Sequence, residues 1–376
     1  MSALYIHIPF CKQACYYCDF HFSTNSQQKA AMVRAICQEI ALRKNYLSKK
    51  HLRSIYIGGG TPSILEKKDL EIIFECIAQY FTWDKSTEIT LEANPDDLKK
   101  EKLKDFIQLG INRLSIGIQS FDEQHLKFLN RAHNAQEAER SILTAQEVGF
   151  ENISVDLIYA IPSKTHSIWK KDLEKTLSLQ IFHISAYCLT IEPKTVFGHR
   201  LAHKQMPPID DHFASEQLRI LLQTLQNADF EHYEISNFAK NQKYAIHNTN
   251  YWQDGEYLGV GASAHSYNGT SRQHNIANNS KYIAALNKSQ IPAQIEILSW
   301  QDKLNEYLLT GLRTQWGCKW EKINTLSLVD FAKEQKPTLT HYQAQAMLGW
   351  DKEKIYLTEK GKFFADQIAS DLFIVS

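Results

Sequence analysis

Six short runs rich in Val, Ile and Tyr, each followed by a helix-like stretch, fill the first half of the sequence. They are "ALYIHI" (Ala3 to Ile8), "RSIYIGGGTP", "EITLEANP", "NRLSIGIQSF", "NISVDLIYAIP" and "FHISAYCLTIEP". Between them lie "LEIIFECIAQYF", "KLKDFIQLG" closed by Gly110, a helix from about Asp122, "AQEAERSILTAQEVG" closed by Gly149, and "WKKDLEKTLSL". Such alternation predicts parallel pairing through right-handed crossovers. The expected class is α/β, a partial (β/α)6 TIM-like barrel. Glycines, prolines and polar residues gather just after the strands, at the end where a βα-barrel carries its site.

The pattern changes after about Pro207. A helix near "HFASEQLRILLQTLQ" leads to aromatic-rich sequence and, from about Ile297, to a mostly helical ending with a strand-like "KIYLT". The expectation is a barrel domain over residues 1–230 and an α+β, partly helical domain over 231–376, winged-helix-like in its last part. No low-complexity linker marks the border, and 376 residues suffice for one large domain and a smaller one.

Lys plus Arg equals Asp plus Glu, 42 each. The balance lacks the basic excess expected for nucleic-acid binding. No apolar run approaches the roughly 20 residues of a membrane helix, which leaves only transient membrane contact open. The N-terminus has no basic region followed by an apolar block, so no secretory signal is expected. An odd cysteine count without an export signal favours reduced thiols and metal chemistry over cross-links. The expected location is the cytoplasm.

Three of the seven cysteines crowd into "HIPFCKQACYYCDFHF", as Cys11, Cys15 and Cys18. C-x3-C-x2-C on a loop after a strand lets three thiolates converge on one inorganic centre. A 4Fe–4S cubane takes four ligands, so three cysteines leave one iron open to a small molecule. The alternative is a closed Cys3His zinc site completed by His21. Most of the scattered Cys37, Cys76, Cys188 and Cys318 are read as buried thiols.

With its aromatic Tyr17, the triplet resembles the radical S-adenosylmethionine (SAM) superfamily, in which the open iron chelates the methionine end of SAM. "IGGGTP" after the second strand strengthens the resemblance, since glycines allow close backbone approach and present free N–H groups. The resemblance implies SAM contacts at Tyr5, Tyr17, Gly59, Gly60, Thr61, Glu92, Gln119, Arg131 and Asp156. Carboxylates at Glu92 and Asp156 suit an ammonium or ribose hydroxyls, and Arg131 suits a carboxylate. In the superfamily an electron passes through the cluster to SAM and its S–C5′ bond breaks; the protein positions the cofactor and excludes water.

Within that superfamily the chain is similar to the oxygen-independent coproporphyrinogen III oxidases and, more closely, to the HemW-type haem chaperones. The oxidases carry a further cysteine two residues after the third, where Phe20 stands here, and an extension ahead of the tyrosine that Tyr5 matches. "IHNTNYW" matches the HNxxYW motif of the chaperone branch, which implies haem contact by His247, with Tyr251 and Trp252 as flat faces for a macrocycle. The residues alone favour a histidine and two aromatics packed in the interdomain core; the surrounding match is what favours haem contact. His7, His183, His232 and His265 are read as structural or unassigned.

The expected function is therefore a radical SAM-type haem chaperone. It would bind a 4Fe–4S cluster, SAM and haem as cargo, take electrons from a donor and deliver haem to apo-haemoproteins. No catalytic residue is assigned, and whether SAM is cleaved stays open. The alternative is a coproporphyrinogen III dehydrogenase that forms protoporphyrinogen IX by radical decarboxylation. A zinc-bound module without redox chemistry is the third reading.

Overall fold

A computed structural model describes residues 2–375. Strands β1 (Ser2–Ile8), β2 (Ser54–Gly59), β3 (Glu88–Ala93), β4 (Arg113–Gln119), β5 (Ile153–Tyr159) and β6 (His183–Cys188) lie side by side in sequence order, all parallel. The α/β partial barrel expected from the sequence is present, and it does not close. Leu4, Ile6, Ile55, Ile57, Leu91, Leu114, Ile116, Val155, Leu157 and Ile184 are all fully buried under the helices. Each such side chain contributes roughly 1.5–3 kcal/mol of transfer free energy.

The helix Lys29–Leu42 was not legible in the sequence. Met32, Val33, Ala35, Ile36, Glu39 and Ile40 are all buried, because the helix is wedged between the sheet and the helices Lys67–Tyr80 and Asn279–Leu286. A helix covered on several sides loses the apolar stripe that betrays a surface helix.

The aromatic-rich segment after residue 230 extends the same sheet at both edges. On one side β6 takes β8 (Asn237–Ala239) and then β7 (Glu231–Glu234), both antiparallel. On the other, β9 (Glu256–Val260) lies parallel to β1, pairing Tyr5 with Gly259 and Ile6 with Val260. β10 (His265–Tyr267), β11 (Ser271–Asn275) and β12 (Ala293–Ile297) follow antiparallel, giving twelve strands. A buried carboxylate fastens this edge. Glu39 accepts from Arg43 Nη1 at 3.0 Å, Asn275 Nδ2 at 2.8 Å and the Gly261 N–H at 3.0 Å. A buried carboxylate that accepts from three elements at once favours one arrangement of the elements that share it.

A second core gathers Leu304, Leu308, Leu312, Phe331, Ile355 and Ile368. Its helices surround the small antiparallel sheet of β13 (Cys318–Lys319), β14 (Leu348–Trp350) and β15 (Lys354–Leu357), ordered β13–β15–β14. The strand expected at "KIYLT" is β15. This unit docks on β7 through the backbone: the Ile235 N–H donates to Arg313 O at 3.0 Å and the Gln315 N–H to Tyr233 O at 2.9 Å. The docking brings Arg313 and Lys362 over the ends of the barrel strands.

Candidate functional site

Cys11, Cys15 and Cys18 leave β1 on one loop and open into a single cavity of about 890 Å³. The loop is closed at its base by Cys11 N–H to Ser23 O and Ser23 N–H to Pro9 O, both 3.0 Å. The turn after the helix Glu123–Phe128 braces its middle: Asn130 Nδ2 donates to Ala14 O at 2.7 Å and the Tyr16 N–H to Leu129 O at 3.1 Å. At the end of β2 the backbone comes so close that a Cβ on Gly60 would lie 2.7 Å from Phe10 O and 3.0 Å from Cys11 Sγ. That contact, together with φ +114° at Gly59, explains the glycines of "IGGGTP".

Polar side chains from successive strand ends face the thiols. Glu92 on β3 accepts from Tyr56 Oη at 2.7 Å and from the Gly59 N–H at 3.0 Å. Asp156 on β5 accepts from Ser115 Oγ at 3.2 Å. Gln119 ends β4 at a register irregularity with φ +68°; a bulge of this sort re-aims the side chain. Thr61 Oγ1 donates to Cys11 Sγ at 3.3 Å. Arg131 donates through Nη1 to Cys15 Sγ and Tyr17 Oη, both 3.3 Å, and through Nη2 to Asn94 Oδ1 at 2.7 Å and Gly117 O at 2.8 Å. Its Nε–H is buried without a partner.

Burial sets the protonation states. It pushes the Cys11 thiol up to about 11 and the Cys18 thiol up to about 12, with the neighbouring Cys15 adding to both. Cys11 and Cys18 would hold an iron centre as thiolates, since a cationic metal beside them would offset the burial that raises both. Burial, reinforced by Asp156, lifts Glu92 to about 7, and burial lifts Asp156 to about 6. Two buried carboxylates with raised pKa values and an arginine with a spare donor form a set that fits a zwitterionic ligand carrying ammonium, carboxylate and hydroxyl groups. The donor set and the glycine-lined approach therefore fit a cluster with SAM beside it.

Of the expected residues, Cys11, Cys15, Cys18, Tyr17, Gly59, Gly60, Thr61, Glu92, Gln119, Arg131 and Asp156 all line the cavity. Two do not. Tyr5 lies behind the wall, its hydroxyl 3.0 Å from His7 Nδ1, while His7 Nε2 reaches His21 O at 2.9 Å. Tyr5 thus steadies the far end of the cluster loop. His247 is buried, with Nδ1 2.8 Å from Ser54 Oγ, Nε2 2.8 Å from Tyr251 Oη, and its ring stacked on Tyr56 at 4.8 Å. Both nitrogens are taken, so this arrangement offers no imidazole to haem iron. His21, the fourth ligand of the closed Cys3His zinc alternative, has its Nε2 2.8 Å from Asn279 Oδ1. Among the described residues no three His, Cys, Asp or Glu stand close enough for one metal ion; cysteines that each bind a different iron of a cubane need no such grouping.

Sequence reasoning missed Tyr56, Asn94 and Ser115, which hold Glu92, Arg131 and Asp156 in place. The signal was there. Alternate positions inside the strands are polar, as in Thr90 and Glu92, Arg113 and Ser115, Ser154 and Asp156, His183 and Ser185, which marks a polar inner face. The outer wall of the cavity, with Ile235, Arg313, Lys362 and Phe363, comes from tertiary docking and has no local signal.

The comparisons agree with this geometry. The model of the radical SAM superfamily matches residues 5–176, and that of the HemN C-terminal domain matches residues 298–364. Coproporphyrinogen III oxidase (HemN) from Escherichia coli superposes with a TM-score of 0.87 over 99% of this chain and 90% of that one, at 22% identity, a likeness of fold. Fold and site define a radical SAM protein, a class that implies a 4Fe–4S cluster and SAM. Heme chaperone HemW of Lactococcus lactis is 34% identical over 96% of this chain and 94% of its own length. Heme chaperone HemW of Bacillus subtilis is 32% identical over 98% of both. The chain belongs to the HemW family.

Proposed function

We propose that the protein is a haem chaperone that holds one 4Fe–4S cluster on Cys11, Cys15 and Cys18, binds SAM across the strand ends, and delivers haem to apo-haemoproteins. The observation that carries this reading is the convergence of three thiols and the Glu92, Gln119, Arg131 and Asp156 side chains on one cavity, in a chain similar to heme chaperones from end to end. Arg131 and Thr61 each donate to a cluster thiol, which supports the charge of a bound cluster. Glu92 and Asp156 suit the cationic and hydroxyl groups of SAM, and Gly59 and Gly60 let it approach the backbone. When bound, the cluster supplies one-electron chemistry.

Phe20 favours transfer over porphyrinogen chemistry. It stands where the oxidases carry a further cysteine, faces the cavity, and is 74% exposed. The test is anaerobic reconstitution followed by haem titration, with transfer to an apo-haemoprotein read from the recipient's absorbance. A parallel incubation supplies coproporphyrinogen III, SAM and reductant. Haem binding and transfer without protoporphyrinogen formation are expected; formation of protoporphyrinogen IX would overturn the reading.

A further inference from the structure

The cavity has two unlike halves. The inner half carries the thiols and the polar strand ends described above. The outer half is built by Leu218 and Leu222 of the helix Asp211–Asn227, by Ile235 and by Phe363, with Arg313 and Lys362 standing among them. Neither cation has a part in the inner half. An apolar wall bearing two separate cations suits a broad apolar ligand with carboxylate arms, and does not suit a nucleoside or a sugar.

Both cations are held in readiness by weak partners. Arg313 pairs through Nη1 with Asp366, whose side chain is 72% exposed, and its Nε–H is buried with no partner. Its guanidinium lies 5.5 Å over the ring of Trp252, the last residue of the "IHNTNYW" helix, which fixes its direction. Lys362 donates to Glu359 at 2.7 Å, whose side chain is 75% exposed, and to His232 Nδ1 at 3.3 Å. Burial holds His232 down to about 4, so the imidazole accepts from the ammonium and does not repel it. Glu234 is buried near Arg313 but is itself bonded by Asn237. Ion pairs with exposed carboxylates are weak, and a ligand carboxylate can displace Asp366 and Glu359 while both stay in water.

We propose that Arg313 and Lys362 form a carboxylate-binding subsite for the two propionate arms of a tetrapyrrole lying against the Leu218–Leu222–Phe363 wall. The inference rests on the haem reading above but makes a separate claim, that the arms and not the iron are recognised here. It also accounts for the "IHNTNYW" helix, in which Trp252 positions Arg313 while no residue of the helix touches the ligand.

The experiment titrates the anaerobically reconstituted full chain with three probes: haem, metal-free protoporphyrin IX, and haem dimethyl ester, whose arms are masked. The wild type is expected to bind haem and protoporphyrin IX at least tenfold more tightly than the ester. The double variant Arg313→Gln/Lys362→Gln should bind all three alike, at the ester's affinity, with the visible absorbance of the cluster as the folding control. Asp366→Asn changes an exposed residue and removes the competitor, so it should tighten haem binding severalfold. Equal binding of haem and its ester, or an unchanged affinity in the double variant and in Asp366→Asn, overturns the subsite while the chaperone reading stands. Binding of protoporphyrin IX that depends on Arg313 and Lys362, without binding of haem, keeps the subsite and sinks the chaperone reading. Failure of the wild type to bind any probe sinks both.

Discussion

Arg131 Nη1 lies 3.3 Å from Cys15 Sγ, in a guanidinium that also donates to Tyr17 Oη, Asn94 Oδ1 and Gly117 O. A fixed positive charge and a hydrogen bond at a thiolate favour the reduced, more negative state of a cluster. Replacing Arg131 with Met should therefore lower the cluster's reduction potential. The whole of one charge-assisted bond, about 1.5–3 kcal/mol, sets an upper limit of roughly 60–130 mV on the shift for a one-electron couple. Redox titration of the SAM-free protein by electron paramagnetic resonance reads it directly. An unchanged potential would remove Arg131 from the cluster's surroundings.

Cys15→Ala tests the cluster assignment without disturbing the fold. The loop around Cys15 is tied by backbone acceptors, Ala14 O to Asn130 and the Tyr16 N–H to Leu129 O, and none of these bonds uses the thiol. The variant should lose the brown absorbance and the sulfide after reconstitution. Its apo form should melt within a few degrees of the wild-type apo form. A retained cluster would point to a ligand set other than Cys11, Cys15 and Cys18.

Glu92 titrates near neutrality, and the sign of its effect follows. Burial raises its folded-state value from an ordinary 4.5 to about 7, so the unfolded chain gives up the proton first. Its contribution to apo-protein stability is present below about pH 4.5 and is lost as pH rises through about 7. The loss amounts to about 3 kcal/mol. Glu92→Gln should accordingly stabilise the apo-protein at pH 8 and leave it nearly unchanged at about pH 5, by denaturant unfolding. SAM affinity should run the other way. A carboxylate that must be ionised to hold an ammonium or strong hydroxyl donors binds better as pH rises from about 6 to 8, and Glu92→Gln should flatten that rise in calorimetry. A steep pH dependence that survives in the variant would shift the role to Asp156.

The sequence made the six parallel strands legible because the face of each that packs under the helices carries Val, Ile and Leu at alternate positions, in runs ended by Gly, Pro or a polar residue. It also singled out the thiols and the polar residues Glu92, Gln119, Arg131 and Asp156, which the fold brings to one cavity. The edge strands β9–β12 were illegible for the opposite reason. "HSY", "SRQHN" and "AQIEI" are short and polar, and they are strands only because β1 and the Glu39 network give them something to pair with. Motif matching carried Tyr5 and His247 into the site as ligands; burial and hydrogen bonding place both behind its wall. What separates a ligand from its support, here Glu92 from Tyr56, is the direction of a side chain, which spacing does not record.

His247 is therefore expected to act through stability. Its Nδ1 serves Ser54, its Nε2 serves Tyr251, and its ring fills the space between Tyr56 and Tyr251. The backbone N–H groups of Ile246 and His247 donate to Glu88 at 3.0 and 2.9 Å, so the whole helix is clamped onto β3 at this point. Removing the ring in His247→Ala leaves two buried hydroxyls without partners and a void. Each unsatisfied group costs about 1–3 kcal/mol and the void adds to it, for a total of about 3–5 kcal/mol. Thermal and denaturant unfolding of the apo-protein, with no haem present, should show this loss in full. His247→Gln, which can still reach one hydroxyl, should recover part of it. Haem affinity measured well below the melting temperature should fall no more than a few-fold in either variant, through the loosened support of Trp252 and Arg313. Abolished haem binding in a variant that melts like the wild type would make the imidazole a ligand after all.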